Sequence, residues 1–152
     1  MTGPSFRFRL ERVRAVRERR EMLAKQELAG AISRRSDSQE NLRVADAQLE
    51  QTRGEQRSAT AASTTIPAAE MLAHQAFLER VEAQRSSSAH DLKRHEAEVA
   101  DRDATLTHAA GEHEMLKRLE ERHRAEHERE VARREQSALD EMVGERFRGS
   151  AA

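Results

Sequence analysis

Ser58-Ala-Thr-Ala-Ala-Ser-Thr-Thr-Ile-Pro67 decides how the rest of the chain is read. This stretch has no charge in a chain that is 36% Asp, Glu, Lys and Arg, and it ends in a proline that cannot donate a backbone hydrogen bond. Proline also pushes the residue before it, here Ile66, away from the helical region. On both sides of the stretch apolar residues recur at helical spacing. The segment therefore reads as a turn between two helices, with Thr64 or Thr65 as cap and Pro67 opening the second helix. One continuous helix kinked at Pro67 is the competing reading.

Downstream of the turn the stripe is regular. Leu78, Val81, Arg85, Ser88, Leu92, His95, Val99, Arg102, Leu106, Ala109, His113 and Leu116 alternate steps of three and four residues. Such a run is the mark of a coiled-coil seam. Continuing it through Leu119 and His123 requires a register shift, and the helix is expected to reach Phe147 and stop at Gly149. Upstream, Ser5 is the candidate cap, followed by Phe6, Leu10, Val13, Arg17 and Arg20. That stripe resumes through Ala24, Leu28, Ala31, Arg35, Ser38, Leu42, Ala45, Leu49 and Thr52. Gly30 and Gly54 weaken the first helix by about 1 kcal/mol each, and neither need be its terminus.

The expected fold is all-α: a long two-helix antiparallel coiled-coil hairpin forming a single domain over residues 1–152. Helix one covers about 6–60, the turn about 61–67 and helix two about 68–147. Folding back at Pro67 brings the N-terminus alongside residues near 125. Composition fits this reading. Leu, Ile, Val and Phe total 25 of 152 residues, too few for a globular core but enough for a thin seam. Disorder is the alternative, opposed by the regular spacing and by a net charge of only -1. Arg35, Arg85, Arg102, His95 and His113 lie on the seam, where each weakens a hydrophobic zipper unless it is paired or reaches water.

Several function classes are excluded. Without cysteine there is no disulfide framework, thiolate metal site or cysteine nucleophile. No run approaches 18 apolar residues, so membrane insertion is not expected. The start Met-Thr-Gly-Pro-Ser lacks the apolar run of a secretory signal, and a cytosolic protein is the simplest reading. No triad, phosphate-cradling loop or carboxylate pair is evident, so no enzyme and no cofactor are expected. His123 and His127 have metal-ligand spacing but no third ligand, and they read as a solvated pair.

Charge is unevenly spread. Residues 6–20 hold seven arginines against Glu11 and Glu18, whereas residues 89–116 hold seven acids against three bases. The arginine cluster is either a solvated helical face or a docking patch, since the guanidinium fork pairs with carboxylates. Nucleic acid is not an expected partner, because the chain has no basic excess and few aromatic side chains for stacking. Near the turn Met71, Leu72, Phe77, Leu78 and Val81 either close the hairpin end or offer an apolar contact, with Phe77 as the candidate anchor.

The opening Phe6-x-Phe8-x-Leu10-Glu11-x-Val13-x-x-x-Arg17 resembles the start of the bacterial flagellar export protein FliJ family, as does Ala24-x-x-x-Leu28-Ala29. Leu119-Glu120-Glu121-Arg122 and Arg134-Glu135-Gln136-x-x-Leu139-Asp140-Glu141 are similar to its other recurrent stretch. The resemblance implies a stalk-like coiled coil of the type III export apparatus, cytoplasmic and peripheral at the inner face of the cell membrane at the flagellar base. Its implied partners are the flagellar export ATPase hexamer, the cytoplasmic domain of the export gate membrane protein and export chaperones. Carried onto this chain, partner binding falls to Arg7, Arg9, Arg12, Arg17, Arg20, Arg122, Arg133, Arg134 and Leu139. A general cytoplasmic coiled-coil scaffold is the alternative function.

Overall fold

The computed structural model describes residues 6–62 and 66–149. Two long helices, α1 (Glu11–Ala62) and α2 (Ala68–Gly149), pack antiparallel as a helical hairpin. Between them Ile66 and Pro67 are non-helical, and the Pro67 carbonyl accepts hydrogen bonds from the amides of Glu70 at 3.0 Å and Met71 at 3.1 Å. Proline therefore stands at the boundary of α2, where its missing N–H costs nothing. The expected caps Ser5, Thr64 and Thr65 lie outside the described residues.

The chain divides into two compact units: Met1–Met22 with His108–Ala152, and Leu23–Thr107. We call them the terminal unit and the turn unit. Each contains a piece of both helices.

The turn unit is built on small side chains. Ala24, Ala31, Ser38, Ala45 and Thr52 are all buried and follow one another at seven-residue steps. Ala31 is fully enclosed. A small residue once per heptad lets the two backbones approach closely, so the contact is made by backbone and Cβ rather than by large knobs. Leu28, Leu42 and Leu49 supply the alternate layer, with Leu78, Val81, Leu92, Val99 and Leu106 facing from α2. Ser88 is buried on the α2 side.

Polar pairs fix the register of this unit. Arg53 meets Glu82 at 3.0 Å, Arg85 meets Asp46 at 2.8 Å, Ser38 meets His95 at 2.6 Å, Arg34 meets Glu98 at 2.6 Å and Arg102 meets Glu27 at 2.9 Å. The α1 partners run back from Arg53 to Glu27 as the α2 partners run forward from Glu82 to Arg102, so the ladder of pairs disfavours a heptad slip. The seam arginines solve their burial problem by reaching outward. Arg35 and Arg85 are exposed, and Arg102 is half-buried beside its carboxylate. Exposed ion pairs contribute roughly 0.2–1 kcal/mol each, so they select the register more than they hold the unit together.

In the terminal unit α1 begins five residues later than the expected start at Phe6. Residues 6–8 are non-helical and residues 9–10 form a turn, joined to the helix by the Glu11 amide on the Phe8 carbonyl at 3.3 Å and the Arg14 amide on the Leu10 carbonyl at 2.9 Å. The physical reason is reach. In a helix Phe6 and Phe8 diverge by about 200°. Leaving the helix lets both rings land on α2.

A candidate partner-docking surface

The strap residues 6–10 precede α1 and lie on the last third of α2. Phe8 is buried, its ring set edge-on to His123 with centroids 6.0 Å apart. Phe6 tilts onto His127 at 5.7 Å, and the Arg124 guanidinium covers the Phe6 ring at 5.6 Å. The expectation that the N-terminus meets residues near 125 holds. His123 and His127 are not simply a solvated pair: their four-residue spacing seats the two rings of a two-residue alternation. Among the described residues no group of three His, Cys, Asp or Glu is placed to hold a metal ion.

The strap also sorts the arginines. Arg14 donates to Glu11 at 2.7 Å and reaches Glu120 at 3.3 Å, and Glu120 in turn holds Arg124 at 3.2 Å. The hydrogen bond from Arg14 keeps the Glu11 carboxyl below its ordinary range, with desolvation opposing and the Arg14 charge assisting. Arg17 is half-buried and ion-paired with Glu112. Beside it the Glu21 carboxylate accepts from His113 Nδ1 at 2.6 Å, both side chains well covered, while the buried His113 Nε2 has no hydrogen-bond partner. Arg14, Arg17 and His113 are thus committed to joining α1 to α2.

The other arginines of residues 6–20 are not committed in this way among the described residues. Arg7, Arg9, Arg12, Arg19 and Arg20 are exposed, and among the described residues they form no ion pair. Arg7 and Arg9 stand on either side of the buried Phe8 in the strap. Together with Arg12 and Arg124 they rim an open concavity that has Phe6 and Phe8 in its lining. Its two acids, Glu11 and Glu120, are already held by Arg14 and Arg124. A concave, cationic surface with an aromatic floor is suited to carboxylates carried on a helix or loop that also offers an apolar side chain.

Other residues expected to bind partners are placed differently. Arg122 and Arg20 are exposed without entering the concavity. Arg133 and Arg134 converge on one carboxylate, Glu130, at 3.4 and 3.1 Å. Leu139 is 53% exposed, beside Met142 and Val143. Phe77 belongs to the turn unit, where it is 41% exposed and capped by Arg80 at 5.7 Å. Its neighbours Met71 and Leu72 are also exposed. Helical spacing alone misses the strap contacts, because it absorbs Phe6 into the stripe of the first helix. The signal for them is the Phe6-x-Phe8 alternation combined with a distant His-x-x-x-His pair.

No described helix is long and apolar enough to cross a membrane. No curated protein and no solved structure matches the chain. A family model described as "Flagellar FliJ protein" matches residues 6–152, from the first phenylalanine of the strap onward. The chain therefore belongs to the FliJ family, a non-enzymatic component of the flagellar protein export apparatus.

Proposed function

We propose that this protein docks its terminal unit into the hexameric flagellar export ATPase and assists delivery of chaperones and substrates to the export gate. In this reading residues 1–152 act as one coiled-coil domain, working in the cytoplasm at the inner face of the membrane beneath the flagellum. The observation that carries it is the division of labour among the arginines. Arg7, Arg9 and Arg12 are exposed around an aromatic-floored concavity, whereas Arg14 and Arg17 are held by Glu120 and Glu112. Arg20, Arg122, Arg133, Arg134 and Leu139 extend the same contact. Docking is steered by guanidinium–carboxylate pairs, so its rate falls as salt rises. Phe77, with Met71 and Leu72, offers the turn unit's apolar contact to the gate's cytoplasmic domain.

The test is steady-state ATP hydrolysis by the export ATPase titrated with this protein. Native chain should stimulate saturably. Changing Arg7, Arg9 and Arg12 together to Glu should abolish stimulation with helicity intact, while Arg17→Gln should lower stability more than stimulation. Absence of any stimulation or co-purification by the native chain would sink the reading.

A further inference from the structure

The concavity where the strap meets α2 has a volume of about 860 Å³, within the roughly 300–1,000 Å³ of small-molecule sites. Four guanidiniums line it, those of Arg7, Arg9, Arg12 and Arg124, against two carboxylates, Glu11 and Glu120. Neither carboxylate has an oxygen to spare. Arg14 takes both oxygens of Glu11, Oε1 at 2.7 Å and Oε2 at 3.2 Å. The same Arg14 reaches Glu120 Oε2 at 3.3 Å, and Arg124 holds Glu120 Oε1 at 3.2 Å. Arg7, Arg9 and Arg12 are exposed and form no ion pair among the described residues. Their mutual repulsion around one concavity is relieved by a ligand that carries several negative oxygens at close spacing. A single carboxylate engages one guanidinium fork, whereas a chain of two or three phosphates presents oxygens to several.

The aromatic floor decides which part of such a ligand is recognised. Phe8 is buried against His123. Phe6 has Arg124 over its ring at 5.6 Å and His127 tilted against it at 5.7 Å. Both rings are already engaged by groups of α2, which leaves the phosphate chain rather than a stacked base as the feature that is read. We infer that the concavity binds the polyphosphate chain of a small anion, nucleoside triphosphate or inorganic triphosphate alike, through Arg7, Arg9 and Arg12. The site neutralises the anion with guanidiniums alone, so Mg²⁺, which takes up oxygens and charge of the chain, weakens binding. The inference does not rest on ATPase docking. It does use the same three arginines, so a bound polyphosphate and a docked partner exclude each other.

The experiment is calorimetric titration of the full chain alone, at low ionic strength and without Mg²⁺, with inorganic triphosphate, ATP and adenosine. Triphosphate and ATP should bind in the submillimolar range, within about threefold of each other, and adenosine should give no heat. Adding Mg²⁺ should weaken ATP binding. Arg7→Gln, Arg9→Gln and Arg12→Gln combined should weaken triphosphate binding at least about tenfold with helicity unchanged. The control combines Arg19→Gln, Arg35→Gln and Arg129→Gln, three exposed arginines outside the concavity with the same loss of charge. It should stay within about twofold of the native chain. Amide shifts on adding triphosphate should cluster at residues 7–12 and 120–124. A native chain that binds no triphosphate at millimolar concentration overturns the inference. So does a control that loses as much as the other triple variant, since binding is then the general attraction of an arginine-rich surface. An affinity for ATP far above that for triphosphate also overturns it, by assigning recognition to the base. No ATPase is present, so a failure here leaves the docking reading standing, and a failure of docking leaves this result unchanged.

Discussion

The turn unit and the terminal unit hold the same two helices together by different means. In the turn unit a buried small residue returns every heptad from Ala24 to Thr52, and polar pairs line its margins. In the terminal unit α1 contributes no buried residue, and its join to α2 is made by Phe8, Arg14, Arg17 and the Glu21–His113 pair. Close packing of small groups fixes distance and resists change at any one position. Discrete charged and aromatic contacts fix geometry but leave surface uncovered. The region with fewer buried groups is therefore also the one that exposes Arg7, Arg9 and Arg12 around its concavity, and Leu139, Met142 and Val143 further along α2.

The sharpest break in this contrast is at Ala31, the residue with no exposure. Ala31→Glu forces a carboxylate into a seam of small side chains in which, among the described residues, no cation is buried. Such a group costs about 3 kcal/mol or more, enough to unfold a thin hairpin at ordinary temperature. Circular dichroism should show a much lower melting midpoint. A near-native midpoint would mean that the small-residue layer is not close-packed.

Phe8→Ala should come next. Full burial of a phenylalanine is worth about 3–5 kcal/mol, and one lodged against a single helix should lose about 2 kcal/mol. The loss should be local. Hydrogen exchange should speed up at residues near Phe8 and near His123, with protection around Ala45 and Ser88 unchanged. Equal loss in the turn unit would erase the distinction between the two modes of attachment. Phe6→Ala, at a half-exposed position, should do the same to a smaller degree.

One change is expected to help both units. A Cβ built on Gly54, in the turn unit, or on Gly111, in the terminal unit, meets nothing within 4 Å. Neither glycine has a positive φ. Gly54→Ala and Gly111→Ala should each stabilise by up to about 1 kcal/mol through helix propensity alone, read as a raised urea midpoint. A loss at either position would reveal a need for close approach by another chain.

The seam is legible in the sequence because a coiled coil writes its contacts at fixed spacing. Every seam position from Leu78 to Leu116 that is not an exposed arginine is at least half-covered in the structure. Leu119 and Glu120 are also covered, consistent with the register shift expected after Leu116. Spacing does not reveal which charges find partners. Arg9 and Arg17 look alike in sequence, yet Arg17 meets Glu112 on the other helix and Arg9 meets nothing among the described residues. That difference depends on a register set 95 residues away. The strap is obscured for a related reason: helix propensity is nearly continuous through residues 6–20, and only the tertiary reward of seating two rings on α2 outweighs it.

The smallest expected effect separates a pair that needs the hairpin from one that does not. In the turn unit Arg34 on α1 grips Glu98 on α2, and this hydrogen bond holds the Glu98 carboxyl below its ordinary value of 4.5, with desolvation opposing and the Arg34, His95 and Arg102 charges assisting. In the terminal unit Glu11 is lowered chiefly by Arg14, three residues along the same helix. Both carboxyls should titrate below the usual range in a carbon-detected NMR titration. Their consequences for stability should differ. Glu98 loses Arg34 when the helices part, so its folded value lies below its unfolded value. Its contribution is present above the unfolded value and disappears as pH falls through the folded one. Glu11 keeps Arg14 within reach whenever the first turn of α1 is helical, so less of its shift depends on the hairpin. Arg34→Gln should therefore raise the Glu98 value and flatten the acid side of the stability profile. Arg14→Gln should raise the Glu11 value while changing the profile less, apart from what it loses by releasing Glu120. If the two substitutions flatten the profile equally, the local pair is as dependent on the hairpin as the bridging one, and the terminal unit's contacts are more cooperative than their spacing suggests.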